Sequence, residues 1–474
     1  MTLPNKFEVI GKDQLPRIHE ATVDLLAKTG IAIHHAEAIS IFKKHGARVD
    51  GNIVRLPVKM VEACMQTVPN KVQWTARNEA NSRILGQGFL VQPIAGPVHV
   101  QDLDHGRRAG TLADIANFQK IYQAGAVYDL VGMIAVDPQD IPQKEKHLHL
   151  MHEILRHTDK PVNGFMTAGP HARSQLDMME IAMGGGTILD NHHCIAVSLG
   201  AISPLTWSWD ATETLIQFAR RNQIVTVLCA PLAGVTAPLS FMGTAVLQNA
   251  ELLAGIILSQ LVNPGTPAVY CPSATAADMR TGGYITGTPE GILINTINYQ
   301  MGLDFYHIPV RAMPGLTDSK TVDYQAGFET MQNLMMAMLA GAHLLNESVG
   351  VLDNILTVSY EKTIIDGELI ERIKRIVKGI DADFDLDPCL DAIRDVGPGG
   401  TYLLHPATVE HCRDRWAPSI SYFGDYNQWE KNGSEDIVVR ANRKFKEILE
   451  SAPEMLIDPD TDRALQNYIQ RELA

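Results

Sequence analysis

Two polar loops hold the side chains with the most chemistry to offer. The first follows the apolar run Pro267–Pro272 and carries Ser273, Asp278 and Arg280. The second follows Ile308–Met313 and carries Thr317, Asp318, Ser319 and Lys320. The pattern between them, from about Pro289 to Tyr306, is helical, so the stretch reads strand–loop–helix–strand–loop. In a parallel α/β architecture both loops share the carboxyl edge of the sheet, where ligands bind. The carboxyl ends of the other apolar runs add Asp137, then Phe165 and Met166, then Ser203, Trp207 and Trp209. Pro231–Pro238, Tyr270, Arg311 with Met313, and Glu347 with Ser348 complete the edge.

Little in this set suits hydrolysis. No HxH follows the first strand, and no lysine and histidine stand at later strand ends in metal-ligand order, so no metal site is expected. GxSxG and P-loop motifs are absent from the sequence. The histidines of KEKHLHLMHEILRH (His147, His149, His152, His157) lie on a helix where only the i, i+3 pair His149 and His152 can converge, so this reads as a solvated helix face. What the edge does offer is aromatic and soft side chains (Phe165, Met166, Trp207, Trp209, Tyr270, Met313) with a few polar anchors. Such a lining hosts quaternary ammonium groups, each ring face contributing roughly 0.5–2 kcal/mol when desolvated. Each ring has a second use, as core or rim packing.

The elements that must position these residues alternate with a regular beat. GTLADIANFQKIYQAG is a helix with Thr111 as its N-cap. DLVGMIAVD, PVNGFMTAG, HCIAVSLGAISP and IVTVLCAPLAG are continuous apolar runs, each followed by a helical pattern. Continuous rather than alternating runs are expected when helices cover both faces of a strand. Counting VHVQD at Val98 as the first and HLLNESVGV as the last, the runs number about eight over roughly the 250 residues of a TIM barrel. No GxGxxG follows the first strand, which disfavours an open doubly wound sheet. The expected fold is an α/β (β/α)8 TIM barrel over residues 96–352. A helical preface with short capping strands occupies 1–95, and a helical appendage 353–474. The acidic, irregular piece DADFDLDP (Asp381–Pro388) falls in that appendage, as does GPGG at Gly397–Gly400, read as a tight turn rather than a phosphate cradle.

Composition narrows the partners. The 474 residues are 45% hydrophobic and 20% charged, and 40 basic against 54 acidic side chains give a formal charge of −14. No surplus of Lys and Arg exists to neutralise phosphates, so a nucleic-acid partner is not expected. The N-terminus lacks a signal-peptide core, and the apolar run Ala250–Val262 reads as too short to span a bilayer, so no membrane role is expected. Six scattered cysteines without a CxxC pair predict a cytoplasmic setting.

Several separated motifs then agree in order. DMRTG (Asp278–Gly282), GTPEG (Gly287–Gly291), RAMPGLTDSK (Arg311–Lys320) and AGAHLL (Ala340–Leu345) resemble the trimethylamine methyltransferase superfamily. VQDLDHGRRAGTLAD (Val100–Asp114), PLAGVTAPLS (Pro231–Ser240) and VGPGGTYLLHPATVEHCRDRWAP (Val396–Pro418) fit the same pattern, so the resemblance covers nearly the whole chain. It implies a TIM barrel that moves a methyl group from an amine to the Co(I) of a corrinoid carried by a separate small protein docking at the barrel mouth. S-adenosylmethionine has no part in that chemistry. The branch acting on trimethylamine carries a pyrrolysine, which by the resemblance falls near Met313–Gly315, where this sequence has ordinary residues. It therefore resembles the branch without pyrrolysine, that of the glycine betaine:corrinoid methyltransferases.

What that branch implies for individual residues follows. No acid or base is required, because a quaternary nitrogen leaves as a neutral amine; the protein binds and aims. Phe165, Trp207, Tyr270 and Met313 are the expected walls for the ammonium group. Arg311, then Arg280, then His343 are the expected partners of a substrate carboxylate, with an ion pair from Arg311 to Asp278, Asp318 or Glu347 as its other use. Glu347 is expected in the mouth against the substrate, with an ion pair to Arg311 as its other use, while Asp278, Arg280 and Asp318 order the loops. Carnitine, proline betaine and γ-butyrobetaine stand beside glycine betaine as substrates. A non-catalytic quaternary-amine binder stands beside the enzyme, and a homo-oligomer is left open.

Overall fold

The computed structural model describes residues 6–380 and 385–474. Residues 381–384, in the acidic piece of the appendage, lie outside the described residues. Eight parallel strands organise the chain: β1 (Leu90–Val91), β2 (Val131–Gly132), β3 (Val162–Asn163), β4 (Ile195–Gly200), β5 (Ile224–Cys229), β6 (Ala268–Pro272), β7 (Arg311–Ala312) and β8 (Leu344–Leu345). β2 to β6 pair in sequence order as one parallel sheet. β7, β8 and β1 form a second. The two are joined at both edges. Tyr270 and Val310 form a parallel bridge, and the backbone N–H groups of Asp129 and Leu130 both donate to Val91 O, at 2.9 and 3.1 Å. The result is a closed ring of parallel pairings.

A helix follows each strand: α1 (Leu112–Ala124), α2 (Lys146–His157), α3 (Ala172–Ala182), α4 (Trp209–Arg220), α5 (Phe241–Val262), α6 (Pro289–Gln300), α7 (Tyr324–Ala340) and α8 (Tyr360–Lys378). Thr111 caps α1 as its sequence predicts, in a reciprocal capping box with Asp114. The 22 residues of α5 are long and apolar enough to cross a bilayer, contrary to the reading of its second half alone. The helix is nevertheless buried. It lies between the ring and the N-terminal helices Leu15–Lys28, Ala36–Lys44 and Val58–Met65, which is where an all-round apolar helix belongs.

The first ring strand differs from the sequence-based count. His99–Asp102 is not in the ring. It pairs antiparallel with Gly106–Ala109 and parallel with Thr357–Ser359 in a small sheet built from the segments that follow β1 and β8. Its residues alternate between half-buried and buried, the mark of a strand with one covered face. The true first strand is the short Leu90–Val91, fenced by glycines and Pro93, and it lies before residue 96.

Inside the ring the alternation of strand side chains makes layers. At the amino end, Leu90, Leu130, Ala196, Ile224, Val269 and Leu344 pack with Val72, Trp74 and Leu85 of a hairpin (Val72–Trp74 with Arg83–Leu85) that plugs that end. Two residues further along the strands the interior turns polar: Gln92, Ser198, Thr226, Cys271 and Asn346, with Asn163 and Arg311 from β3 and β7. The helices Ile437–Ser451 and Pro459–Leu473 pack outside the ring, on α8 and α1 and on α3 and α2 respectively.

Candidate active site at the carboxyl end of the ring

The polar layer is the floor of the site. Asn163 Nδ2 donates to Gln92 Oε1 at 2.9 Å and to Ser198 Oγ at 3.3 Å, and Arg311 Nη1 donates to Ser198 Oγ at 3.0 Å. Five buried polar atoms here have no protein partner: Gln92 Nε2, Asn163 Oδ1, Thr226 Oγ1, Arg311 Nε and Asn346 Oδ1. Buried polar groups are normally satisfied, so a cluster of open ones marks a place for water or a ligand. Arg311 is only 1% exposed. Among the described residues, no carboxylate lies within ion-pair distance of it.

Glu347 stands beside this floor. Its carboxylate accepts from Ala95 N at 2.7 Å and from Asn346 Nδ2 at 3.0 Å. Burial pushes its pKa up to about 7, while the Ala95 N–H, the charge of Arg311 and the Asn346 amide hold it down. Its backbone is left-handed, with φ 51°, as is that of Met133 just past β2 (φ 55°). Such strain in residues with side chains concentrates where surrounding structure fixes a functional group. The segment after β7 closes tightly on it: a Cβ on Gly315 would come within 2.1 Å of Glu347 O.

Two cavities lie beyond the strand ends. Beyond β6 and β7, Ser273, Tyr284, Asn295, Tyr299, Met313 and Asn333 line a narrow cleft of about 40 Å³. Ser273 Oγ donates to Met313 Sδ at 2.8 Å, and Asn295 grips both backbone groups of Ala274. The Tyr284 hydroxyl has its pKa pushed up to about 12 by burial, with the charges of Glu347 and Asp318 adding to the effect. Beyond β2 and β3 lies a wider cavity of about 410 Å³, walled by Phe165, Met166, Asp137, Lys146, His147 and His171. Lys146 Nζ meets Asp137 Oδ1 at 2.9 Å. His147 and His171 stack at 3.9 Å, and burial together with that neighbour lowers the His147 pKa to about 4.

The loops at this end are tied down by acids. Asp318 accepts from Thr286 N and Gly287 N, at 3.1 and 2.7 Å, joining the loop after β7 to the one after β6. Asp278 caps its own turn through Arg280 N and Thr281 Oγ1. The Arg280 side chain points into solvent, touching only Asp278 at 3.4 Å. Arg311 pairs with none of Asp278, Asp318 and Glu347.

Three expected site residues lie elsewhere. Trp207 is buried outside the ring, its indole against Gly255 of α5 and its Nε1 toward Glu251 O. Tyr270 alternates with the inward Val269, so it points outward and donates to Asn249 of α5 at 2.8 Å. His343 precedes β8 at the plugged end and accepts from Val310 N; burial lowers its pKa to about 4. Trp209 stacks on His35 of the N-terminal region. The histidines of α2 are not a solvated face either. His152 meets Asp462 at 2.7 Å, His157 meets Glu153 at 3.0 Å, and both are buried. Among the described residues, the grouping with metal-ligand spacing is Asp102, Asp104 and His105, in the turn of the hairpin outside the ring. There Asp102 caps the turn and Asp104 pairs with Lys446.

Sequence reasoning missed Gln92, Asn163, Ser198, Thr226, Cys271, Asn346 and Tyr284. The available signal was a lone polar residue inside an apolar run, as in PVNGF, IAVSLG and IVTVLC.

Comparison with known proteins gives the family. A glycine betaine methyltransferase of Desulfitobacterium hafniense (strain Y51) is 34% identical over 466 residues, 98% of this chain and 97% of its own. A proline betaine:corrinoid methyltransferase of Eubacterium limosum is 29% identical over 85% of this chain and 84% of its own. The crystal structure of the monomethylamine methyltransferase MtmB of Methanosarcina barkeri superposes with a TM-score of 0.55, covering 96% of this chain and 91% of that one. At 12% identity this is a likeness of fold. The family model described as trimethylamine methyltransferase (MTTB) matches residues 2–474, and the chain is a methyltransferase of that family.

Proposed function

We propose that this chain transfers a methyl group from a quaternary amine, glycine betaine first, to the Co(I) corrinoid of a separate protein, leaving dimethylglycine. We read the closed ring with its eight helices as a (β/α)8 TIM barrel whose carboxyl-end mouth faces that acceptor. The observation that carries the proposal is Arg311. A guanidinium buried at the floor of the mouth, with an open Nε and no carboxylate partner among the described residues, calls for an anionic group from a ligand. Glycine betaine, proline betaine and carnitine, named for three relatives, all join such a carboxylate to a quaternary nitrogen.

Ring faces suit the nitrogen better than acids would. Positive charge on nitrogen vanishes as the methyl leaves, so a full carboxylate against it would hold the ground state more tightly than the transition state. Ring and thioether faces, such as Tyr284 and Met313 beyond β6 and β7, grip the head group more weakly and aim one N–CH3 bond outward. Glu347, with its pKa near neutrality, spends part of its time uncharged. The acceptor supplies the nucleophile, so the chain needs no general acid.

The test is to mix the purified chain with a reduced corrinoid and a panel of quaternary and tertiary amines. The visible spectrum follows corrinoid methylation and proton NMR follows dimethylglycine. Glycine betaine should be consumed and trimethylamine left untouched. Binding of betaine without turnover, or rapid turnover of trimethylamine, would overturn the reading.

A further inference from the structure

The open atoms of the floor are of two kinds, and a simple betaine meets only one. Gln92 Nε2, Thr226 Oγ1 and Arg311 Nε can donate, whereas Asn163 Oδ1 and Asn346 Oδ1 are carbonyl oxygens that only accept. All five residues are at most 1% exposed. A carboxylate only accepts and a quaternary nitrogen carries no N–H, so glycine betaine has no hydrogen to give. Both buried carbonyl oxygens stay unmet beside it, a cost that a better-matched ligand avoids.

Two of the five residues stand side by side. Leu90 and Leu344 pair between β1 and β8 and point inward, as do Gln92 and Asn346, each two residues further on. The Glu347 carboxylate takes an N–H of the Asn346 amide at 3.0 Å, which leaves the carbonyl oxygen as the open end. Gln92 is turned the other way. Its Oε1 accepts from Asn163 Nδ2 at 2.9 Å, and Nε2 is open. An N–H donor next to a carbonyl acceptor is the complement of a hydroxyl group, which accepts and donates at one oxygen. Arg311 stands on β7, the next strand along from β8.

We infer that Gln92 and Asn346 form a second subsite beside Arg311, one that takes a hydroxyl carried on the substrate between its carboxylate and its nitrogen. Resting on the reading of Arg311 as the carboxylate's partner, it adds a preference within the betaines. One that bears a hydroxyl is bound more tightly than one of the same length without it. The carboxylate takes Arg311 Nε, and the hydroxyl accepts from Gln92 and donates to Asn346. A single water is a poor substitute for such a ligand. It makes at most about four hydrogen bonds, and the five open atoms belong to five different β/α units around the ring.

Carnitine and γ-butyrobetaine differ by that hydroxyl alone, which makes them the probes. Titration calorimetry on the intact chain, with no corrinoid present, should find one enantiomer of carnitine bound about 10- to 100-fold more tightly than γ-butyrobetaine. The other enantiomer, its hydroxyl turned from Asn346, should bind like γ-butyrobetaine. Asn346→Leu removes the carbonyl from a side chain of similar shape. With an unchanged circular dichroism spectrum, it should bring the preferred enantiomer down to γ-butyrobetaine, whose own affinity holds. Should that variant not fold, the comparison of enantiomers on the wild type decides by itself. Equal affinities for all three ligands, the result of a water filling the subsite in every complex, would overturn the inference. So would a preference undiminished in Asn346→Leu. Neither result touches the reading of Arg311, which fails if no betaine binds at all and takes this inference with it.

Discussion

Arg311 on β7 and Ser198 on β4 meet across the interior of the ring, guanidinium Nη1 to hydroxyl Oγ at 3.0 Å. The contact spans strands that are not neighbours, so it fixes the fork of the guanidinium from the far wall. One edge of the fork is occupied and Nε is open. A carboxylate approaching from the mouth then finds a donor already oriented, which lowers the ordering cost of binding.

Arg311→Met should therefore lose betaine before it loses the fold. A charged hydrogen bond to a carboxylate is worth roughly 1.5–3 kcal/mol, so kcat/KM for glycine betaine should fall about 10- to 100-fold, most of it in KM. Arg311→Lys should recover little, since a point charge cannot reproduce the planar fork. Thermal melting should stay within a few degrees of wild type. A loss of melting temperature proportionate to the loss of activity would mean that Arg311 only braces the ring.

Glu347 makes a prediction with a definite sign. Its folded pKa, about 7, lies above the ordinary 4.5. The folded state therefore binds the proton more tightly than the unfolded state. This contribution to stability is full below about 4.5 and is lost as pH rises through about 7. Glu347→Gln, which keeps an acceptor for Ala95 N, removes that loss. The variant should melt closer to wild type at pH 5 and above it at pH 8. Equal shifts at both values would place the Glu347 pKa in the ordinary range.

The beat of apolar runs and helices is plain in the sequence because each β/α unit carries its own cap and turn, as at Thr111. The side of a strand on which a residue points is not. A strand covered by helices outside and by side chains inside is apolar at every position, so period-2 reading cannot separate Val269, which points inward, from Tyr270, which points under α5. Nearness to a strand end does not put a ring in the mouth: of Phe165, Trp207, Trp209 and Tyr270, the last three pack outside the ring. The polar floor was legible in principle. Asn163, Ser198 and Thr226 each interrupt an apolar run at an inward position. Such a residue survives only where it faces polar company. The strand Leu90–Val91 was hidden by its brevity, since two residues between glycines and a proline carry no periodicity.

Aromatic recognition is tested by contrasting rings. Tyr284→Ala should raise KM for glycine betaine about 3- to 30-fold, the worth of one cation–π face, with little change in melting. Trp207→Phe should do the reverse: melting falls as the contact with Gly255 and Glu251 loosens, and KM stays put. The measurement is steady-state kinetics beside differential scanning calorimetry. A KM effect confined to Trp207 would return the ammonium site to the outer layer.

Asp318 should matter for loop order. It accepts two successive backbone N–H groups, Thr286 and Gly287, from a loop on another β/α unit. Asp318→Ala leaves both donors unmet, at roughly 1–3 kcal/mol each if they stay buried. Amide exchange by mass spectrometry should quicken across 283–291 and leave the strands protected. Activity should fall through kcat and KM together, since the cleft wall that carries Tyr284 moves.

Gly315 is the sharpest steric test. Its φ is not left-handed, so conformational freedom is not why glycine stands there; the reason is approach. A methyl group at this position would lie 2.1 Å from Glu347 O and 2.6 Å from Ser348 C, both backbone atoms that cannot swing away. Gly315→Ala must push the β7 loop off the β8 loop, an overpacking cost of about 1–3 kcal/mol or more. Because the displaced backbone carries Met313 on one side and Glu347 on the other, turnover should fall further than stability, by about 100-fold against a loss of a few degrees in melting. Gly327→Ala, where a methyl group meets nothing of this chain within 4 Å, is the control, and it should turn over at the wild-type rate. Wild-type activity in Gly315→Ala would show that the two loops part freely, and that the floor and the cleft are not one site.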